Sequence, residues 1–398
     1  MSLVEESREP LRRVVEDESA LDECLAALED AEGPVAFDAE RAHGYRYWPR
    51  AYLFQLRREG AGTWLIDPTR FDRDRLGALV AAAGDTEWVI HAASQDLPSM
   101  FEAGVVPARV FDTELAARLL GKPGVSLGAL LSAELGVELR KAHSAVNWAT
   151  RPLKPSWLIY AALDVDFLLE LRDVLEGQLH RMGRHTWAEQ EFAWELQQFA
   201  RAPEPRPEPW RRLSRVASIR TTRGLALARE LWQERDAIAQ RRDRPPGHIL
   251  PDAAIVEAGM MAGGGFPSRD ALSRIPGFSQ PPGSRYLQNW LNAVARAREL
   301  PENRYPTKRP PSHGGVPSPK NWDQLRPEAA DRWARARPAL DDLACEIGLQ
   351  PSLLTPPAPL QRVLWSHERP TETDLRRAGM RPWQADLVSA LLDEVLAD

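Results

Sequence analysis

The sequence predicts an α/β domain with one mixed central sheet, followed by two small all-α bundles. Three observations lead there: three early segments with strand patterning, an alternation of helical and strand-like segments after them, and two proline-rich breaks beyond which no strand pattern recurs. The breaks, RAPEPRPEP at 201–209 and PENRYPTKRPPSHGGVPSP at 301–319, cannot continue a helix or a central strand, because proline fixes φ and lacks an amide hydrogen. They divide the 398 residues into segments 1–200, 210–300 and 320–398, a length that accommodates two or three domains.

GPVAFDAE (33–40), AYLFQLRR (51–58) and GTWLIDP (62–68) are short, apolar or alternating, and bounded by Gly or Pro, which predicts strands. FDRDRLGALVAAAG then predicts a helix, EWVIHAA (87–93) a buried strand, and DTELAARLL another helix. From Pro155 to about Phe199 the pattern is helical, with a break near Gly183. Strands first and then helix–strand alternation imply a mixed sheet. In the second segment, LALARELWQERDAIAQRRD (225–243) and SRYLQNWLNAVARAREL (284–300) place apolar residues at helical spacing. In the third, EAADRWARARPALDDLACEIG, PLQRVLWSHE and WQADLVSALLDEVLAD do the same. The two helical segments are similar in size, which hints at a duplicated module.

The 43% apolar and 27% charged content is that of a soluble globular chain. No apolar run approaches the roughly 20 residues that span a bilayer. The polar, acidic start MSLVEESREPLRRVVEDES does not read as a signal peptide, so a cytoplasmic location is expected. Cys24 and Cys345 are isolated, which excludes a zinc ribbon or a disulfide framework. The net charge of −6 is unevenly spread: residues 201–310 hold 20 Lys/Arg against 11 Asp/Glu, a balance of +9, while 311–398 carry −3 and 1–200 carry −12. An acidic segment suited to cations is thus joined to a basic one suited to phosphates.

The acids with chemical promise lie in VAFDAER (35–41), VIHAASQDL (89–97) and YAALDVDFL (160–168). Asp38 and Glu40, two apart on a strand, point to one face and can reach one metal ion. Asp96 follows an apolar strand at the start of a helix, where helix-dipole compensation is the ordinary structural role. Tyr160 and Asp164 stand one helical turn apart on one face, so a phenol can orient a water above a metal-binding carboxylate. Asp166 falls on another face of that helix. Four such carboxylates can hold two hard cations about 4 Å apart, a pair able to clamp both oxygens of a phosphodiester displacement. His91 is a buried or loop-stabilising side chain, because hard cations prefer oxygen. Phe111-Asp112-Thr113-Glu114 repeats the F-D-x-E spelling but leads into a helix, so Asp112 reads as an N-cap. GGG at 263–265 lacks the Lys-Ser/Thr of a phosphate loop.

In the order FDAE, HAASQDL and YAALD, these segments resemble the three exonuclease motifs of the DEDD superfamily, in its tyrosine subclass. The first 200 residues are similar to ribonuclease D, also through AYLFQL, FDTELAARLLG and KAHSAVNWATRPL. LWQERDAIAQRRDRPPGHILPDAAIVEAG resembles the helicase-and-RNase-D C-terminal (HRDC) domain, and 320–398 would be a second, divergent copy. One departure is Asn147, where the family pattern has aspartate before Trp148. The resemblance implies an RNase H-like exonuclease domain with HRDC-type bundles after it. It also implies a 3′–5′ exoribonuclease that uses two divalent cations, Mg²⁺ or Mn²⁺, and releases nucleoside 5′-monophosphates from RNA such as precursor tRNA. Asp38 would bridge both ions, Glu40 and Asp164 would complete the first ion's shell, Asp96 would support the second, and Tyr160 would orient the attacking water. In the basic segment, Arg211, Arg212, Arg241, Arg242 and Arg244 are candidates for phosphate contact, and Trp210 for stacking a base. The rival readings are a DNA 3′–5′ exonuclease, since nothing in the acidic motifs reads a 2′-hydroxyl, and a non-catalytic RNA-binding scaffold.

Overall fold

The computed structural model describes residues 2–139, 146–202, 204, 206–308 and 315–397. Residues 141–145 of the KAHSAVNWATRPL stretch, and parts of both proline-rich breaks, lie outside the described residues. By compactness the chain forms two units: Met1–Arg41, Arg50–Pro203 and Ser312–Asp398 make one, and Ala42–Pro49 with Glu204–Pro311 make the other.

In the first unit β1 (Ser2–Val4) pairs in parallel with β7 (Val137–Leu139). Helix α1 (Glu18–Glu29) is N-capped by Asp17. The main sheet holds β2 (Val35–Arg41), β3 (Ala51–Arg58), β4 (Gly62–Ile66), β5 (Glu87–Ile90) and β6 (Arg109–Asp112), in the order β4-β3-β2-β5-β6. Strands β2, β3 and β4 run antiparallel, while β2, β5 and β6 run parallel. The short turn through Gly60, at φ +85°, permits the antiparallel β3–β4 hairpin. The parallel pairs need crossovers, which α2 (Arg73–Ala83) and α3 (Leu97–Ala103) supply. Helices α4 (Thr113–Leu119), α5 (Leu127–Leu130), α6 (Pro155–Asp166), α7 (Leu168–Arg181) and α8 (His185–Phe199) follow.

Side chains alternate across the sheet. Val35, Phe37, Trp88 and Ile90 join the core under α1 and α2, while Ala36, Val89 and Phe111 join the core under α4–α8. Period two therefore places Asp38 and Glu40 on the Ala36 face, where α6 packs against β2, β3 and β4.

Three elements differ from the sequence expectation. The strand at 87–93 stops at Ile90, because Ala92 turns into the left-handed region at φ +59°. The segment before DTELAARLL is a short strand, β6, paired with β5. The helical stretch from Pro155 breaks at Phe167 as well as near Gly183.

In the second unit, α9 (Thr222–Arg242), α10 (Pro246–Ile249), α11 (Asp252–Met261), α12 (Arg269–Ser273), α13 (Pro276–Ser279) and α14 (Leu287–Glu299) surround a core containing Trp210, Leu231, Ile255, Phe278 and Trp290. A Cβ at Gly224 would lie 2.3 Å from the Gly259 carbonyl oxygen, so α9 and α11 meet backbone to backbone. The Ala42–Pro49 segment is fastened to α9. The Asp243 carboxylate accepts the Tyr47 and Trp48 amides at 3.1 and 3.3 Å, and the Tyr47 hydroxyl donates to Asp236 at 2.9 Å.

The last helices are α15 (Trp322–Leu325), α16 (Pro327–Glu346), α17 (Pro351–Leu354), α18 (Pro357–Ser366), α19 (Glu372–Arg377) and α20 (Pro382–Val395). They share a hydrophobic core with α4–α8. Trp383 stacks on Trp187 at 4.7 Å, and buried Glu191 of α8 accepts from Arg381 Nε at 2.6 Å and Trp383 Nε1 at 2.8 Å. Compactness thus does not follow the proline-rich breaks: 312–398 close onto the segment that carries the acids. No helix among the described residues is long and apolar enough to cross a membrane.

Candidate active site

Strand β2 presents Asp38 and Glu40, and α6 brings Asp164 to the same face. The carboxylate oxygens of these three residues lie within 4.8 Å of one another. Tyr160, one turn earlier on α6, donates a hydrogen bond to Asp164. Helix α6 starts at Pro155, which suits a first-turn position with no amide to satisfy. The loop before it is clamped by Arg151, which donates to Asp67 at 2.7 Å and to the Tyr52 and Trp148 carbonyls at 2.7 Å. Buried Trp148 lies 6.4 Å from the Tyr160 ring and backs it. At the family departure, the Asn147 side-chain oxygen accepts the Ala149 amide at 3.2 Å. That is a turn bond an aspartate could equally accept.

Asp96 is buried at the start of α3, but its side chain makes no capping bond. It is also outside the three-acid group. Its carboxylate pairs with Arg41 at 3.0 Å, and Arg41 donates further to the Gln95 carbonyl. Asp96 therefore has an ion-pair partner in Arg41 and no capping bond to the helix it precedes.

Asp112 does cap α4, accepting the Glu114 and Leu115 amides at 2.7 and 3.1 Å. It also accepts the Ala92 and Ala93 amides at 3.0 and 2.7 Å, which holds the left-handed turn just ahead of Asp96. Glu195 of α8 receives the Ser94 amide at 3.2 Å and hydrogen-bonds Asp112. Burial and the adjacent Asp112 push the Glu195 carboxyl up to about 9, so it is the protonated partner. His91 is held neutral by burial and shares a 2.9 Å hydrogen bond with Thr113. Asp166 faces away, accepting from Ser7 at 2.9 Å and the Arg8 amide at 3.0 Å.

Withdrawal from water pushes the Asp38 carboxyl up to about 6, opposed by the Arg41 guanidinium. The same withdrawal, with Asp38, Asp164 and Asp96 nearby, pushes Glu40 up to about 10. Asp96 and Asp164 rise for the same two reasons. Crowded carboxylates of this kind hold protons unless a cation replaces them. Gln55, opposite Asp38 in the β2–β3 register, is fully buried, and neither atom of its amide has a partner among the described residues. An all-oxygen donor set short of positive charge fits hard divalent cations. Arg41, Gln55, Arg151 and Glu195 were given no role in the sequence reading; Arg41, Gln55 and Arg151 lie within the quoted stretches VAFDAER, AYLFQL and KAHSAVNWATRPL, while Glu195 left no local signal.

The basic segment needs two corrections. Trp210 is 2% exposed inside its bundle, and its ring is covered by the Arg211 guanidinium at 4.4 Å, so it cannot stack a base. Arg211 is itself held by Glu208 at 2.8 Å and by the Thr307 carbonyl. Arg212, Arg241, Arg242 and Arg244 are exposed.

Comparison with known proteins agrees with this geometry. Residues 12–180 match a family model described as 3′-5′ exonuclease, 224–294 match the HRDC domain, and 315–396 match a separate model, the 3′ to 5′ exonuclease C-terminal domain. Ribonuclease D of Gluconacetobacter diazotrophicus is 32% identical over 290 residues, covering 72% of each chain. Ribonuclease D of Desulfotalea psychrophila is 26% identical over 348 residues, covering 86% of this chain and 88% of that one. The crystal structure of a protein from Bifidobacterium adolescentis is similar with a TM-score of 0.89 at 31% identity, over 100% of this chain and 99% of the other. Escherichia coli RNase D shares the fold with a TM-score of 0.71 at 22% identity, over 98% of this chain and 99% of that one.

Proposed function

The chain belongs to the ribonuclease D family and is a metal-dependent 3′–5′ exoribonuclease, and from that premise we propose that it trims the 3′ ends of structured RNA, precursor tRNA among them, in the cytoplasm, releasing nucleoside 5′-monophosphates. Asp38, Glu40, Asp96 and Asp164 hold two divalent cations, Mg²⁺ or Mn²⁺. Asp38 would take part in holding them through the three-acid group, and its charge also acts on Asp96. Bound there, the cations supply Lewis acidity, lowering the pKa of a water and neutralising charge on the departing oxygen.

The side chains do the positioning. Burial and three nearby carboxylates keep the Tyr160 phenol protonated, so it orients the water by hydrogen bonding and does not act as the base. Arg41 fixes the carboxylate of Asp96. The exposed arginines Arg212, Arg241, Arg242 and Arg244 hold RNA phosphates, and 312–398 brace α8. The Escherichia coli relative is an exoribonuclease involved in structured RNA processing, which supports the choice of substrate.

The observation that carries this reading is the convergence of Asp38, Glu40 and Asp164 within 4.8 Å, with Tyr160 bonded to the last. A time course on 3′-extended RNA and matched DNA, with and without Mg²⁺, tests it. Stepwise loss of mononucleotides from the RNA 3′ end, only with metal, is expected. Internal cuts, metal-independent cleavage or a preference for DNA would contradict it.

A further inference from the structure

The turn ahead of Asp96 is held by two acids outside the three-acid group, Asp112 and Glu195. Ala92 lies in the left-handed region at φ +59°, a backbone that an alanine keeps only where its surroundings over-determine it. The three amides of Ala92, Ala93 and Ser94 are captured in succession. Asp112 takes the first two at 3.0 and 2.7 Å, and Glu195 Oε1 takes the third at 3.2 Å. The next two close the turn on itself, Gln95 onto the Ala92 carbonyl at 2.9 Å and Asp96 onto that of Ala93 at 3.0 Å. Every amide from Ala92 to Asp96 thus has a fixed partner.

Glu195 is buried on α8, one turn after Glu191, the acid that holds Arg381 and Trp383. Packing alone does not ask for an acid there. Ala188 and Phe192 fill the same helix with apolar core groups, and a buried carboxyl costs free energy unless it is paired. No N–H or O–H donor reaches its second oxygen, Oε2, among the described residues. Glu195 and Asp112 nonetheless hydrogen-bond each other, so one of the two carboxyls carries a proton. Asp112 accepts four amides and keeps the negative charge, which makes Glu195 the donor. Glu195 is therefore acceptor and donor at once, a part that a side-chain amide can copy and a carboxylate cannot.

We propose that Glu195 is a positioning residue of the exonuclease site: by gripping the Ser94 amide and the Asp112 carboxylate together, it sets the turn from Ala92 to Asp96 and so the place at which the Asp96 carboxylate meets a cation. This rests on the reading of Asp96 as a ligand of the second divalent cation. Glu195 acts through Ser94 and Asp112, while Arg41 fixes the Asp96 carboxylate itself at 3.0 Å.

The test uses the full chain with Glu195→Gln, Glu195→Leu and Glu195→Asp. Hydrogen exchange of the 92–96 amides is followed in EDTA, Mn²⁺ alone is titrated calorimetrically, and RNA hydrolysis is followed over a Mg²⁺ series. Glu195→Gln keeps an acceptor and a donor at the same reach, so it should stay close to wild type in all three. Glu195→Leu keeps the bulk and loses both bonds. It should speed exchange at 92–96 and weaken the second Mn²⁺ about 10- to 100-fold, with the first unchanged. Its turnover should fall at low Mg²⁺ and recover as Mg²⁺ is raised, which a merely loosened fold would not do. Glu195→Asp, one methylene short, should behave like Glu195→Leu. Wild-type exchange and Mn²⁺ binding in Glu195→Leu would overturn the proposal, as would an equal loss in Glu195→Gln. If Glu195→Leu does not fold, Glu195→Asp decides, and its matching Glu195→Gln would overturn the proposal. A wild type that binds no Mn²⁺ would instead contradict the two-cation reading, while exchange at 92–96 still decides whether Glu195 sets the turn.

Discussion

Phe37-Asp38-Ala39-Glu40 and Phe111-Asp112-Thr113-Glu114 share one spelling, the first on β2 and the second running from the end of β6 into α4, with β5 between the two strands in one sheet. Their aspartates live opposite lives. Asp112 accepts four backbone amides and a bond from Glu195, and so builds a turn and a helix start. Asp38 has one backbone amide, from Ala39, and faces Glu40 and Asp164 with its carboxyl pushed up to about 6 by withdrawal from water. An acid that the fold saturates with donors shapes the chain. An acid left short of donors among other acids is available to a cation.

The largest break in this contrast should come from removing the unsaturated acids. Asp38→Asn or Asp164→Ala should cost on the order of 10³-fold or more in turnover on RNA, measured with Mg²⁺. The melting temperature without cation should stay level or rise, because a crowded carboxylate has gone. Tyr160→Phe should lower kcat by up to about 10²-fold, the scale of a mispositioned reactant, while a calorimetric Mn²⁺ titration stays close to wild type. Asp112→Asn, which can accept with one oxygen only, should cost about 1.5–3 kcal/mol in denaturant unfolding. Its activity should fall about 10- to 100-fold, as for residues that orient ligands from behind. The contrast would blur if Asp112→Asn unfolded no more easily than wild type.

A smaller effect follows from pH. The folded carboxyl of Glu40 is raised to about 10 from an ordinary 4.5, so the folded chain binds more protons than the unfolded one between those values. Its stabilising share is complete below about 4.5 and is lost as pH rises toward 10. Without divalent cation the melting temperature should therefore fall between about pH 5 and pH 9. Mg²⁺ or Glu40→Gln should flatten that fall. A flat profile in EDTA for the wild type would mean that the acids are not crowded.

The β2–β3–β4 meander was legible because its strands are short, apolar runs bounded by Gly and Pro. Strand β6 was not, since four residues run into α4 with no turn residue between them. Among the acids, i, i+2 spacing on a strand and i, i+4 spacing on a helix put Asp38 with Glu40 and Tyr160 with Asp164 in register. Asp96 was readable as a helix start, but its pairing with Arg41 spans 55 positions and has no local trace. Nor could sequence show that Trp210 fills a core, because a tryptophan among arginines looks the same whether it packs inward or stacks a base. The joining of 312–398 to α8 depends on Arg381 and Trp383 finding Glu191 across some 190 residues. Periodicity carries no signal over that distance.

The contrast between the two aspartates is tested most directly by titrating Mn²⁺ calorimetrically into the wild type, Asp38→Asn and Asp112→Asn at neutral pH. The predicted result is two cations per wild-type chain with release of protons, loss of that binding in Asp38→Asn, and weaker binding of unchanged stoichiometry in Asp112→Asn. Full Mn²⁺ binding by Asp38→Asn, or its loss in Asp112→Asn alone, would contradict the account.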